Sequence, residues 1–147
     1  MATDLQAPAG LRVVAAAEDW LDTPFRHQGR IKGVGVDCIG LAAGVARELG
    51  LAVVDELDYS RTPQAARMMF SLGRHLPRVT APDGARIGDV LAPGDVVLFS
   101  WHGTATHVGI FTGDRFVHAY EPAGKVVAMT ATRALRRRVV AAWRLEG

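Results

Sequence analysis

The sequence predicts an α+β domain in which helices come first and an antiparallel sheet of about five strands follows. Three observations point that way. Apolar residues in the first half recur at helical spacing, and beyond Pro93 and Gly94 they alternate in short runs rich in valine and aromatics. No stretch approaches the roughly 20 apolar residues that cross a bilayer. With 147 residues, 49% apolar and 22% charged, the chain is expected to form one globular unit over residues 1–147, without repeats or disordered tracts.

Leu11, Val14, Ala17 and Leu21 fall on one helical face, and DTP at 22–24 stops that helix because the residue before a proline disfavours helical backbone. After the loop FRHQGRIKGVGV, Asp37 stands as N-cap of a second helix beginning at Cys38, with Leu41, Val45 and Leu49 on one face and Gly50 at its end. Gly40 and Gly44, four apart, suit a helix pressed closely on a sheet. Thr62 and Pro63 form a cap and first-turn pair for a third helix through QAARMMFSLGRHL, up to Pro77. DVVLFS, HVGIFT, RFVHAY, KVVAMT and RRVVAAWRL then read as the strands of a meander.

Cys38 is the single cysteine, so an internal disulfide is excluded and the thiol is either a small buried hydrophobe or a nucleophile. In the first turn of a helix it faces unsatisfied N–H groups and the positive end of the macrodipole, which predicts a shift toward thiolate. A thiolate nucleophile needs a proton carrier oriented by a third polar group. Gly113 and Asp114 make a two-residue hairpin turn, and counting outward places Phe111 opposite Phe116, Gly109 opposite His118 and His107 opposite Tyr120. His107 and His118 then share one face as diagonal neighbours, with Gly109 leaving room between them, while Val108, Ile110, Val117 and Ala119 take the other face. Zinc held by Cys38, His107 and His118 is an alternative these residue types leave open, although no ligand pair stands at the usual short spacing. His27 lies in the loop before the cysteine and could line a pocket; His75 and His102 have no partner pattern. Gly29, Gly33 and Gly35 lack the strand and the Gly-Lys-Ser/Thr ending of a phosphate loop.

Charge is uneven. The first 60 residues carry 5 Lys/Arg against 9 Asp/Glu and the remainder 12 against 6, the excess gathering at Arg133, Arg136, Arg137, Arg138 and Arg144. These arginines suit either an anionic partner or a protected strand edge in solvent.

The segments TPFRHQGR, DCIGL, PGDVVLF, HVGIF and FVHA, in this order, resemble the NlpC family of cysteine peptidases, which have a papain-like fold and cut bacterial cell-wall peptides. Within it the chain looks most like the phage-tail branch, including the version carried by alphaproteobacterial gene transfer agents. The resemblance implies Cys38 as nucleophile, His107 as general base and then acid, and His118 as the residue that orients His107. It further implies an oxyanion and substrate-binding region around Asp37, Phe25, His27 and Gln28, with no metal and no cofactor. The implied substrate is the peptidoglycan stem peptide, cut at the γ-D-glutamyl-diaminopimelate bond. The implied partners are tail or baseplate hub proteins, with no membrane span and no direct nucleic-acid binding. MATDLQAPAG at the start is unlike a secretory signal, so the resemblance implies cytoplasmic synthesis, a place on a particle tail and action on the periplasmic wall. Three positions depart from the family pattern: Phe25 where many members carry tyrosine, Ile39 where serine is common, and a His107 to His118 separation one residue shorter than in several members. A structural plug or adaptor of a tail tip and an intracellular thiol acyltransferase are the competing expectations.

Overall fold

The computed structural model describes residues 8–51, 65–74, 76–101 and 104–145; Thr62, Pro63, His75 and His102 lie outside them. Helix α1 is Ala9–Glu18, a small hairpin follows as β1 (Arg30–Ile31) and β2 (Gly35–Val36), and α2 is Cys38–Glu48. Helix α3 is Ala65–Leu72. The main sheet contains β3 (Asp95–Trp101), β4 (Thr104–Phe111), β5 (Arg115–Tyr120), β6 (Lys125–Thr130) and β7 (Val139–Arg144), with a short α4 (Arg133–Arg136) before the last strand. All its pairings are antiparallel, in the order β6-β5-β4-β3-β7.

The expected strands are all present, but the simple meander is corrected. After β6 the chain crosses by way of α4 to the opposite edge and pairs β7 with β3. The strand ends explain the crossing. Asp95, 1% exposed, is held by Arg144 in a two-pronged contact, Nε to Oδ1 at 3.0 Å and Nη2 to Oδ2 at 3.2 Å, and only pairing β7 with β3 brings these residues together. Both faces of the sheet are covered. Val96, Leu98, Val108, Ile110, Val117 and Ala119 pack with α1 and α2, while Val97, Phe99, Phe111, Phe116 and Ala142 form a second cluster on the far side.

The face of α1 is also corrected. Of the expected stripe Ala17 is buried and Val14 half-buried, but Leu11 is 51% exposed and Leu21 is exposed, and the buried face is Val13, Ala16 and Ala17 together with Trp20. Both stripes have helical spacing, and the one ending in the largest apolar side chain wins. The Trp20 indole N–H is satisfied by Glu48 Oε1 at 3.1 Å, which removes the cost of burying it. The helix ends at Glu18, before the expected stop, and α3 ends at Leu72 rather than near Pro77.

Helix α2 is buried nearly all round, from Ile39 to Ala46, rather than along one stripe. Gly50, with φ +79°, follows it in the left-handed conformation expected of a C-terminal glycine. The glycine face of α2 does not press on the main sheet. A Cβ on Gly40 would lie 2.3 Å from the Gly29 carbonyl oxygen, and one on Gly44 would lie 2.4 Å from Trp20 Cζ2. The two glycines instead let the loop before β1 and Trp20, in the turn after α1, approach the helix. Gly40→Ala gains about 1 kcal/mol of helix propensity and incurs an overpacking penalty of roughly 1–3 kcal/mol against backbone that cannot swing aside. A net loss of stability is expected in chemical denaturation; unchanged stability would mean that the loop does not seat on the helix.

Candidate active site

The site is assembled at the start of α2. Asp37 is its N-cap, as expected, with Oδ1 accepting from the Gly40 N–H at 2.8 Å. The same buried carboxylate accepts from the Gln28 N–H at 2.8 Å through Oδ2 and from Arg30 Nη1 at 3.0 Å through Oδ1. Arg30 Nη1 also donates to the Gly29 carbonyl at 2.9 Å. Asp37 therefore acts on the site by tying the preceding loop to the helix start. Gln28 takes φ +62°, rare for a side chain of its kind, and its N–H is committed to Asp37. Phe25 and His27 line an open cleft with Pro24, Arg26, Glu121 and Gly124. Phe25 is fixed there by its N–H, which donates to the Gly124 carbonyl at 2.8 Å.

Strands β4 and β5 pair at Ile110–Val117 and Phe111–Phe116, in the register counted from the Gly113–Asp114 turn. Thr112 N–H closes that turn on the Arg115 carbonyl at 2.8 Å, with Gly113 at φ +117°. Beyond these pairs the ladder stops, and the two imidazoles meet. His107 Nε2 and His118 Nδ1 are 2.7 Å apart, with ring centroids at 4.9 Å. A Cβ on Gly109 would meet Phe99 Cε2 at 3.0 Å and only reach ordinary contact with His118 Cβ at 3.4 Å, so the glycine makes room chiefly for the Phe99 ring. Backbone N–H groups of Val108, Ile39 and Cys38 itself lie close enough to the Cys38 sulfur to favour its charged form, which places the thiol near the residue that follows His107. Cys38 as a whole residue remains partly exposed although its thiol is enclosed by protein, and His118 is fully buried.

An aromatic surround completes the arrangement. Phe99, the cross-strand partner of His107, stacks on it at 6.0 Å, Trp101 meets it edge-on at 5.2 Å, and Tyr120 lies 5.0 Å from His118. Neither Phe99 nor Trp101 was singled out from the sequence as a site residue. The signal was available in the alternation of DVVLFSW, which puts both on one face of β3.

The expected thiolate is corrected. Burial pushes the Cys38 thiol up to about 12, and the neighbouring Asp37 carboxylate adds to the rise; the three N–H groups pull the other way without offsetting it. Burial also pushes His107 down to about 3, assisted by His118, and His118 down to about 4. The resting site is a neutral thiol beside two neutral imidazoles. The zinc alternative gains no geometric support: among the described residues no three His, Cys, Asp or Glu side chains converge on a possible metal position. His107 and His118 spend a ring nitrogen each on one another.

Comparison with known proteins adds to this geometry. The profile of the NlpC/P60 family matches residues 22–144. The chain belongs to the NlpC/P60 family. It is 29% identical over 119 residues to the murein DD-endopeptidase MepS/murein LD-carboxypeptidase of Escherichia coli K12, a match over 80% of this chain and 53% of that protein. The chain thus spans about half the length of that curated relative. Two solved structures show the same fold: NlpC2 from Trichomonas vaginalis, with TM-score 0.70 and 18% identity over 95% of this chain and 48% of that one, and the NlpC/p60 domain of the peptidoglycan hydrolase SagA, with TM-score 0.62 and 18% identity over 91% of this chain and 97% of that one. The papain-like α+β fold of the NlpC/P60 peptidoglycan hydrolases is therefore this chain's fold. No helix among the described residues is long and apolar enough to cross a membrane.

Two outcomes follow from the neutral site. An unfolded imidazole titrates near 6.5, so between that value and the depressed values in the fold the unfolded chain binds more protons and stability falls as pH drops. Thermal melts are expected to show a loss of stability from pH 7 to pH 4. His118→Asn, which removes one imidazole but keeps a partner for His107, should lose less; equal slopes would mean that folding does not depress the titration of His118. Iodoacetamide is expected to alkylate Cys38 at pH 8 more slowly than free cysteine, and faster labelling would reveal a standing thiolate.

Proposed function

We propose that this chain is a peptidoglycan endopeptidase in which Cys38 is the nucleophile, His107 the general base and then acid, and His118 the residue that orients His107. The observation that carries this reading is the 2.7 Å contact between His107 Nε2 and His118 Nδ1, made next to Val108, whose N–H lies near the Cys38 sulfur. For His107 to receive a proton at Nδ1, its Nε2 must carry hydrogen and donate to His118 Nδ1. His118 then holds its own hydrogen on Nε2. Because the thiol rests protonated, the proton passes to His107 as sulfur adds to the scissile carbonyl, not before. The oxyanion forms near the N–H groups of Cys38 and Ile39, His107 protonates the leaving amine, and a water activated by His107 then releases the acyl group from sulfur.

The substrate class is supported by family membership and by the relative named as a murein endopeptidase and carboxypeptidase. The bond we assign, γ-D-glutamyl to diaminopimelate, rests on the resemblance of the five sequence segments to the NlpC pattern. So does the place of action, a phage-like tail or baseplate from which the enzyme opens the wall. A plug of the tail tip that keeps the fold with little catalysis is the second reading. It is favoured by the protonated thiol and by Phe25, which has no hydroxyl to offer an oxyanion.

Purified protein is expected to release diaminopimelyl product from a γ-D-glutamyl-diaminopimelate stem peptide, followed by liquid chromatography. Cys38→Ala should lower the rate by at least about a thousandfold, the order seen when a covalent nucleophile is lost. Cleavage confined to D-alanyl cross-links would move the bond, and equal rates for the two proteins would remove Cys38 from the chemistry.

A further inference from the structure

The arginines gathered near the end of the chain do not share one role. Arg144 is spent on Asp95. Arg136 donates to the carbonyls of Ala131 at 3.1 Å and Gly88 at 3.2 Å and lies 4.8 Å over Phe111, so it is part of the packing. Arg138 is different. It is exposed, it forms no ion pair among the described residues, and its only side-chain hydrogen bond is a long one of 3.4 Å from Nη1 to the Ser100 carbonyl. Its backbone is fixed more firmly, the Ser100 N–H donating to the Arg138 carbonyl at 2.7 Å. Its guanidinium stands 6.0 Å over the Trp101 ring, and Trp101 is the ring that meets His107 edge-on at 5.2 Å. His107, Trp101 and Arg138 thus form a row across β4, β3 and the entry to β7, at the end of the sheet that holds the thiol.

We propose that Arg138, seated on Trp101, is a specificity residue that binds a free carboxylate of the substrate next to the scissile amide. This rests on the endopeptidase reading above. A guanidinium matches a carboxylate with two parallel N–H donors, and seating on an indole holds it in place without neutralising it. One ring lies between it and the imidazole, a separation that suits a group a few bonds from the reacting carbonyl. The proposed substrate offers two such groups: a γ-glutamyl linkage leaves the α-carboxylate of the glutamyl residue free on one side of the scissile bond, and diaminopimelate carries carboxylates on the other. The sulfur attacks the carbonyl as before; Arg138 takes no part in proton transfer and acts through KM.

The test compares three stem peptides: the free acid, one amidated at the glutamyl α-carboxyl, and one amidated at the diaminopimelyl carboxyls. Wild type, Arg138→Gln, Arg138→Lys and the control Arg133→Gln are each assayed for kcat and KM. Wild type is expected to show a KM roughly tenfold higher for one amidated peptide than for the free acid, in line with the loss of a charge-assisted contact, and which amide matters identifies the carboxylate. Arg138→Gln should raise the free-acid KM by a similar factor and abolish that difference, Arg138→Lys should recover part of it, and Arg133→Gln should behave as wild type. Equal KM values for all three peptides with wild type would overturn the proposal while leaving the endopeptidase reading intact. Absence of cleavage by folded wild type would overturn the endopeptidase reading. In that event, binding of the same peptides to Cys38→Ala by calorimetry decides the carboxylate question separately: preference for the free acid that vanishes with Arg138→Gln supports it, and no preference or no binding rejects it.

Discussion

A single buried carboxylate holds the site end of this molecule together. Asp37 accepts from the first turn of α2, from the loop at Gln28 and from Arg30 at the start of β1. Each acceptance does a different job: one caps the helix that presents Cys38, one fixes the backbone at a residue with positive φ, and one neutralises a cation that is itself largely covered. Removing one member of a buried pair typically costs about 3–5 kcal/mol, because the other is left charged and unpaired. That exceeds the roughly 1 kcal/mol of an ordinary helix cap. The close seat of Gly40 on the Gly29 carbonyl belongs to the same junction, since a carboxylate can bridge helix and loop only if the two approach within hydrogen-bond reach.

Two opposing effects meet at the cysteine, and their balance sets the character of the site. The helix start and three N–H groups favour negative charge on sulfur, while removal from water and the Asp37 charge disfavour it, and the second pair prevails. Both imidazoles are held neutral by the same dryness, enclosed by Phe99, Trp101 and Tyr120. A protonated thiol is a poor target for oxidants as well as for electrophiles, so a lone cysteine kept in this form is less reactive than a standing thiolate.

Much of the local structure was legible in the sequence. Asp37 capping Cys38, Gly50 ending the helix, the Gly113–Asp114 turn and the shared face of His107 and His118 all depend on residues close in the chain, where spacing decides the outcome. What was not legible depends on distant partners. Leu11 and Val13 are equally good anchors until Trp20 finds its slot against Gly44. The partners of Gly40 and Gly44 come from the loop before β1 and from the turn after α1, and no periodicity within α2 reveals them. The position of β7 is set by Arg144 meeting Asp95, almost fifty residues earlier. The ionisation of Cys38 failed as a sequence inference because the dipole is visible in a pattern and the dielectric around the sulfur is not.

The crossing that carries the last strand to the edge of β3 has a bearing on how the protein is made. During synthesis β3 to β6 emerge in order and can zip as neighbours, but Asp95 stays without its cation, and the far side of β3 without cover, until residues 139–144 have left the ribosome. Arg138 and Trp101 come together at the same late moment. A nascent chain therefore lacks the Trp101–Arg138 edge beside its His107 imidazole until translation through the final strand is over.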